Sequence, residues 1–305
     1  MATSPTSSPS LVDAVFVGVA TFDAIALVDR FPAPDDRVVA SEVAYAGGGP
    51  AATAAVAASR LGVRAAFVGT VGDDANGRAI LTGLMDEGVD VSGVTVLAGL
   101  PSAASVVIVD RVRDSRAICN QPAPRIDISA GLGLIVSSPV VHVDHAGWGS
   151  VAAAGLLREG QLLSVDAGNP IPGFTPRGVG LYAPTVEALR LTYGADRTVP
   201  DLLALAVAEG CDVVVATDGA RGSSALTAAG ETASAPAHTS PILSTLGAGD
   251  VFHGALVAAV VKGMTLDQQL AFANVTAALS CRGLDGRSRI PSLAEVEAAM
   301  PANAR

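Results

Sequence analysis

The run Ser244-Thr245-Leu246-Gly247-Ala248-Gly249-Asp250-Val251-Phe252-His253-Gly254 stands between an extended stretch, residues 235–243, and an Ala/Val-rich segment, residues 250–262, that reads as a helix. Two glycines and an alanine leave the backbone almost bare where that helix begins, so unpaired N–H groups and the positive end of the helix dipole converge there on an anion. A phosphoryl group in transfer needs such a place. Asp250, one residue past the last glycine, falls in the first turn, where it can take a proton from a hydroxyl held beside the anion. The same string also fits a tight turn and an ordinary helix start, so its meaning depends on the rest of the chain.

With 305 residues, the chain is long enough for one large α/β domain, or a core with a small appended one. Half of it is hydrophobic but only 4% aromatic, so the core must be packed from Ala, Val and Leu. A formal net charge of −10 argues against a nucleic-acid surface, which needs clustered Lys and Arg. Cys119, Cys211 and Cys281 lie far apart without metal-ligand spacing and read as buried free thiols of a reducing cytosol. Residues 1–10, rich in Ser, Thr and Pro and lacking a basic leader, read as a disordered tail. The apolar run at 255–261 ends at Lys262, so no membrane span is expected and the protein is placed in the cytoplasm.

Strand-like runs at 12–19, 67–71, 140–144, 162–166, 178–183 and 213–218 alternate with helical segments, the pattern of a doubly wound, mostly parallel sheet with helices on both faces. Asp23 follows the first run, at an edge where ligands of open α/β sheets collect. Its two oxygens suit sugar hydroxyls, or simply a turn. Residues 31–46 and 97–120 carry short strands outside the alternation and read as a small β lid, leaving 11–30, 47–96 and 121–305 as the α/β core. Gly47-Gly48-Gly49 lets a ligand approach the backbone, Pro50 suits a first helical position, and Gly62 suits a C-cap. Asp73 and Asp74 read as caps of a helix over 76–87. No Gly-x4-Gly-Lys-Ser/Thr string and no Gly-x-Gly-x-x-Gly after a strand is present, which removes a Walker-type P-loop and a dinucleotide dehydrogenase. His142, His145, His238 and His253 do not fall on metal-ligand spacing, and His253, on the face of Asp250, reads as a packing or hydrogen-bonding residue rather than a proton carrier.

Taken together, the Gly-Ala-Gly-Asp-x-Phe-x-Gly-Ala string and the Gly47–Gly62 run resemble the two signatures of the ribokinase-like, or PfkB, carbohydrate kinases over about residues 11 to 295. The resemblance implies a ribokinase-like fold whose lid closes on a sugar and excludes water. It also implies an ATP- and Mg²⁺-dependent phosphotransferase acting on an alcohol group. In it Asp250 is the base, and the N–H groups of Gly247, Ala248 and Gly249 hold the charge. Asp23, Gly48, Gly49 and Thr53, the last where the family carries Asn, shape the sugar pocket. Thr217, Gly219 and Gly222 lie against the nucleotide phosphates and ribose, with Arg221 adding charge. Asn274 and Gly286 fall by the adenine. Glu187, in Ala183-Pro184-Thr185-Val186-Glu187 where the family has Asn-x-x-Glu, holds Mg²⁺ or serves as a first-turn carboxylate. Ser244 replaces an aspartate of the family's monovalent-cation site.

Gly47-Gly48-Gly49-Pro50-Ala51-Ala52-Thr53, Gly249-Asp250-Val251-Phe252-His253-Gly254 and Gly286-Arg287 are similar to the sulfofructose kinase branch, with Arg37 and Asn120 at pocket positions. The branch's further arginine is absent after residue 143, where Asp144-His145-Ala146-Gly147-Trp148 stands instead. The resemblance therefore points to a ketose-like or acidic sugar, with sulfofructose as one acceptor, and to a homodimer joined through the lid. The alternatives are a non-catalytic sugar- or nucleotide-binding relative and a nucleoside kinase, which the shortage of aromatics near the lid disfavours.

Overall fold

A computed structural model describes residues 12–113 and 115–302; the tail expected over 1–10 lies outside them. Numbered in chain order, the strands are β1 (Ala14–Val17), β2 (Thr21–Val28), β3 (Glu42–Gly48), β4 (Ala65–Val68), β5 (Thr70–Gly72), β6 (Thr95–Leu97), β7 (Ala104–Asp110), β8 (Ser115–Gln121), β9 (Val140–Val143), β10 (Leu162–Ala167), β11 (Leu181–Pro184), β12 (Val213–Thr217), β13 (Ser223–Thr227) and β14 (Thr232–Ala235). The helices are α1 (Pro50–Arg60), α2 (Ala75–Asp86), α3 (Leu132–Ser137), α4 (Gly147–Ala154), α5 (Val186–Tyr193), α6 (Val199–Ala208), α7 (Ala248–Val261), α8 (Leu266–Ser280) and α9 (Leu293–Ala299). No described helix is long and apolar enough to cross a membrane.

Eight strands form the main sheet in the order β14-β13-β12-β11-β10-β9-β1-β4. The pairs from β4 to β12 are parallel, and only β12–β13 and β13–β14 run antiparallel. Period-two alternation along β1 divides the core. Ala14 and Phe16 join α1, α2, α7 and α8 on one face, while Val15 and Val17 join α4, α5 and α6 on the other. The first of these layers is packed largely from alanines of α1 and α7, as the aromatic-poor composition requires.

Three expectations need correction. Thr21–Val28 belongs to a second, four-stranded sheet of order β3-β2-β7-β8, not to the core, because after β1 the chain pairs with β3 and β7. Asp23 therefore lies within a lid strand rather than at the edge of β1. Leu97 leaves that sheet to pair with Gly72 in a two-stranded ribbon of β5 and β6. Residues 236–247 form no strand; β14 ends at Ala235, before Pro236, whose ring removes the N–H that a ladder needs. The cap expectation at residue 74 is met, since Asp74 accepts from Gly77 N–H at the start of α2.

The junction of core and lid is tied by one buried carboxylate. Asp144 accepts from Val19 N–H at 2.7 Å, Ala51 N–H at 3.3 Å, and the N–H groups of Ala146 and Gly147 at 2.9 Å each. It thus fixes the turn into β2 and the starts of α1 and α4 together. Asp144→Ala is expected to lower unfolding free energy by at least about 3 kcal/mol, since it orphans buried donors of a charge-assisted network. By contrast, Asp13→Ala, which breaks an Arg64 pair at the surface, should cost no more than about 1 kcal/mol. Urea titration of both variants measures the difference.

Candidate active site

Helix α7 starts on Gly247, whose φ of 73° and ψ of 0° place it in the left-handed region. A Cβ there would also stand 2.8 Å from Gly286 Cα, so a side chain at 247 is excluded twice. No side chain caps the helix. Ala248 N–H turns back to Thr245 O at 3.3 Å, and Val251 N–H to Gly247 O at 2.9 Å. Of the expected donors, Ala248 is therefore already engaged. The N–H groups of Gly247, Gly249 and Asp250 have no acceptor among the described residues and remain for an anion.

Asp250 occupies the third helical position and is partly buried. Burial, and then the nearby Asp166 and Asp144 carboxylates, push its pKa up to about 8, against the pull of Arg287 and Arg116. One turn along α7, buried His253 brings Nε2 to 3.5 Å from Asp166 Oδ1. Arg116, on β8, donates from Nη1 to Thr245 Oγ1 at 2.9 Å, beside the bare turn.

The lid register aligns a second group of residues. Asp23 pairs with Ala46 on one side and Ser105 on the other, and Ser105 pairs with Asn120, so Asp23 and Asn120 share a face. Asn120 is exposed, while Asp23 is buried, with Oδ1 lacking a hydrogen-bond partner and Oδ2 only 2.1 Å from where a Gly48 Cβ would fall. Burial raises the Asp23 pKa even though Thr21, Ser105 and Arg287 act to lower it. Thr53, fully inside α1, accepts from Arg287 Nε at 3.1 Å, and Arg287 Nη2 donates to Gly48 O at 2.6 Å. Arg287 is 7% exposed, and burial pulls its pKa down to about 10 while Asp23 and Asp250 resist. Arg287 thus sets a buried guanidinium against the hydroxyl of Thr53. Its place beside Gly286 was its only mark in the sequence.

Other expected residues fall differently. Arg37 is exposed in the loop before β3, with no hydrogen bond or ion pair among the described residues. Arg221 is closed into a bidentate pair with Asp218, at 2.6 Å for both contacts, and is not a free cation. Asn274 spends its amide on Ala235 O and Pro236 O, at 3.0 and 3.2 Å, and so ties α8 to the end of β14. Gly286 packs against Gly247. Thr217 bridges Thr185 at adjoining strand ends, which sets the Gly219–Gly222 turn next to the start of α5. There Thr185 caps the helix, and Glu187 stands exposed in its first turn with free carboxylate oxygens, a donor set that fits a hard cation.

The sequence profile described as pfkB family carbohydrate kinase matches residues 12–143 and 181–292. The chain belongs to the PfkB family of carbohydrate kinases. Among its curated relatives are a 5-dehydro-2-deoxygluconokinase of Shouchella clausii, 25% identical with 94% of each chain covered, and an ATP-dependent ribose-1-phosphate kinase of Halopiger xanaduensis, 27% identical over 94% of this chain and 98% of that one. The Arabidopsis thaliana ribokinase structure with ribose and ATP superposes with a TM-score of 0.79 at 22% identity, over 94% of this chain and 98% of that one, and so shares the fold. The ribokinase-like α/β architecture of this PfkB member is thereby fixed. The curated kinase names at low identity leave its acceptor open.

The raised pKa of Asp250 has a consequence for stability. Its carboxyl holds a proton more tightly folded than unfolded, so its contribution grows less favourable as pH rises from about 4, the unfolded value, to about 8, the folded one. Asp250→Asn, which carries no such proton, should therefore melt higher than the parent, by a margin that widens between those pH values. Parallel melting curves across that range check it; a margin that is constant or shrinks with pH would contradict the assignment.

Proposed function

We propose that this chain transfers the γ-phosphoryl group of Mg·ATP to a hydroxyl, in a ketose-like or acidic sugar a primary one. The observation that carries the reading is the uncapped start of α7 with Asp250 in its first turn. Asp250 takes the hydroxyl proton as the oxygen forms its bond to the γ-phosphorus. The bond from that phosphorus to the bridging oxygen breaks, and ADP leaves with the electron pair. The free N–H groups of Gly247, Gly249 and Asp250 receive the charge that spreads over the transferring group. Mg²⁺, when bound, offsets charge on the β- and γ-oxygens, and Glu187 is the residue suited to hold it. Thr217, Gly219 and Gly222 form the turn on which the nucleotide lies.

Asp23, Gly48, Gly49, Asn120 and Thr53 shape the acceptor pocket, and Arg287 rather than Arg37 is its cation. Two relatives are named for kinases of an acidic keto sugar and of ribose 1-phosphate, which agrees with a pocket that sets a carboxylate acceptor beside a guanidinium donor. The lid's inner residues Ile25, Leu27, Val107 and Val109 pack on Leu243, Leu246 and Leu284 around the phosphoryl site, where closure excludes competing water. On its outer face Tyr45 and Val106 flank Ala24 in register and are 70% and 55% exposed, an apolar row suited to a homodimer.

The test is ADP release from Mg·ATP across sulfofructose, fructose, fructose 6-phosphate, 5-dehydro-2-deoxygluconate, ribose, ribose 1-phosphate and adenosine, with Asp250→Asn as the blank. One strong acceptor whose turnover is abolished in the variant is expected; turnover retained in the variant removes Asp250 as the base. No turnover, with a sugar-dependent rise in melting temperature, moves the reading to a binding protein. With the acceptor in hand, Arg287→Met should raise its KM by about 100-fold, the loss of two charge-assisted hydrogen bonds, and Arg287→Lys should recover part of it. Sedimentation should give a dimer that Tyr45→Glu dissociates.

A further inference from the structure

The two edges of the main sheet end differently. At one edge the chain closes β4 itself, since Asp90 N–H donates to Ala65 O at 2.9 Å and Phe67 N–H donates to Asp90 O at 2.8 Å. At the other edge lies β14, which pairs with β13 alone. Thr227 N–H donates to Glu231 O across that hairpin, and Ala228 N–H donates to Asp212 O on the side of β12. Bonded positions alternate along an antiparallel pair, so Ala233 and Ala235 turn their N–H and C=O groups to β13, while Thr232 and Ser234 turn theirs outward. Among the described residues these outward groups have no backbone partner.

The open backbone borders a groove of about 660 Å³. Ser224 and Leu226 of β13, Thr232 and Ser234 of β14, and Val199 and Leu203 of α6 line it. Thr232 and Ser234 are exposed. Period-two alternation sends Ala225 and Ala233 to the opposite face, into the core layer under α8. Among the described lining residues Asp267, exposed in the first turn of α8, is the one with a charge, and Glu231 stands exposed at the end of the hairpin. The strand itself, Thr-Ala-Ser-Ala, carries no charge or proline to guard its edge.

An extended segment laid along β14 would take up the outward N–H and C=O groups and add a strand to the sheet, with alternate side chains on its two faces. On one face these meet the apolar Val199, Leu203 and Leu226; on the other they come toward α8 and Asp267. A second copy of this chain is a poor occupant, because it brings the same acidic surroundings in a chain of net charge −10. We propose that β14 is a docking edge for an extended segment of another protein in which apolar residues alternate with Arg or Lys. The apolar residues enter the groove beside α6, and the basic ones face Asp267. No residue of the groove belongs to the acceptor pocket or the phosphoryl site, so docking there does not depend on the proposed reaction.

The test is a displayed library of nine-residue peptides alternating Val, Ile, Thr or Tyr with Arg or Lys, selected on the full chain at about 0.15 M salt, where non-specific attraction is screened. Peptides should be retained by the parent and lost on Ser234→Pro, whose ring removes the outward N–H yet suits an edge strand. The strongest of them should bind the parent one to one and slow amide exchange of Thr232 and Ser234 by at least about 10-fold. It should bind Asp267→Arg about 10-fold more weakly, since that change turns an exposed attraction into a repulsion. No peptide retained by the parent, equal retention by Ser234→Pro, or protection confined to other elements each overturns the proposal. Unchanged affinity in Asp267→Arg, which leaves the backbone of β14 untouched, overturns it even where Ser234→Pro fails to fold. So does slowed exchange of Thr232 and Ser234 that grows with the concentration of the chain alone, which marks a second copy as the occupant.

Discussion

A single buried guanidinium closes this molecule on itself. Arg287, in the loop after α8, reaches across 234 residues of sequence to Thr53 and across 239 to Gly48, and so fastens the C-terminal loop to the N-terminal glycine run. The same loop lays Gly286 on Gly247, which sets the position of the bare turn before α7. The N-terminal glycine run and the start of α7 are held in register because these contacts share two consecutive residues. An arginine kept this far from water needs charge and hydrogen bonds around it, and Asp23, Asp250, Thr53 Oγ1 and Gly48 O provide them.

The second constraint is an excess of carboxylates on the other side of Asp250. Burial first, and then Asp166 and Asp144, push the Asp250 pKa up to about 8. Asp144 itself cannot be removed from the arrangement, since it carries the backbone of three elements at once.

Much of this was legible from residue patterns. The alternation of apolar runs predicts the parallel sheet, and Gly247-Ala248-Gly249-Asp250 marks the uncapped helix start because bare backbone and a first-turn acid are local features. What was not legible depends on contacts distant in sequence. Thr21–Val28 reads as an extension of the core since it follows β1 directly, and only pairing with β3 and β7 assigns it to the lid. Arg37 reads as a pocket cation by position in the chain, yet the loop holding it stays outside the strands. Arg287 looks like one more charge in a glycine-rich loop until Thr53 is placed opposite it. Asn274 and Arg221 have the right chemistry for a nucleotide, but the structure gives their donors to Pro236 and Ala235 carbonyls and to Asp218.

In the proposed function, the start of α7 holds a phosphoryl group in transfer rather than a resting anion. Calorimetric titration of the acceptor-saturated protein with ADP and Mg²⁺, with and without aluminium fluoride, tests it most directly. The planar fluoride, a mimic of the transferring group, should tighten ADP binding by about 100-fold or more, as transition-state analogues do. Equal affinity with and without the fluoride would contradict it.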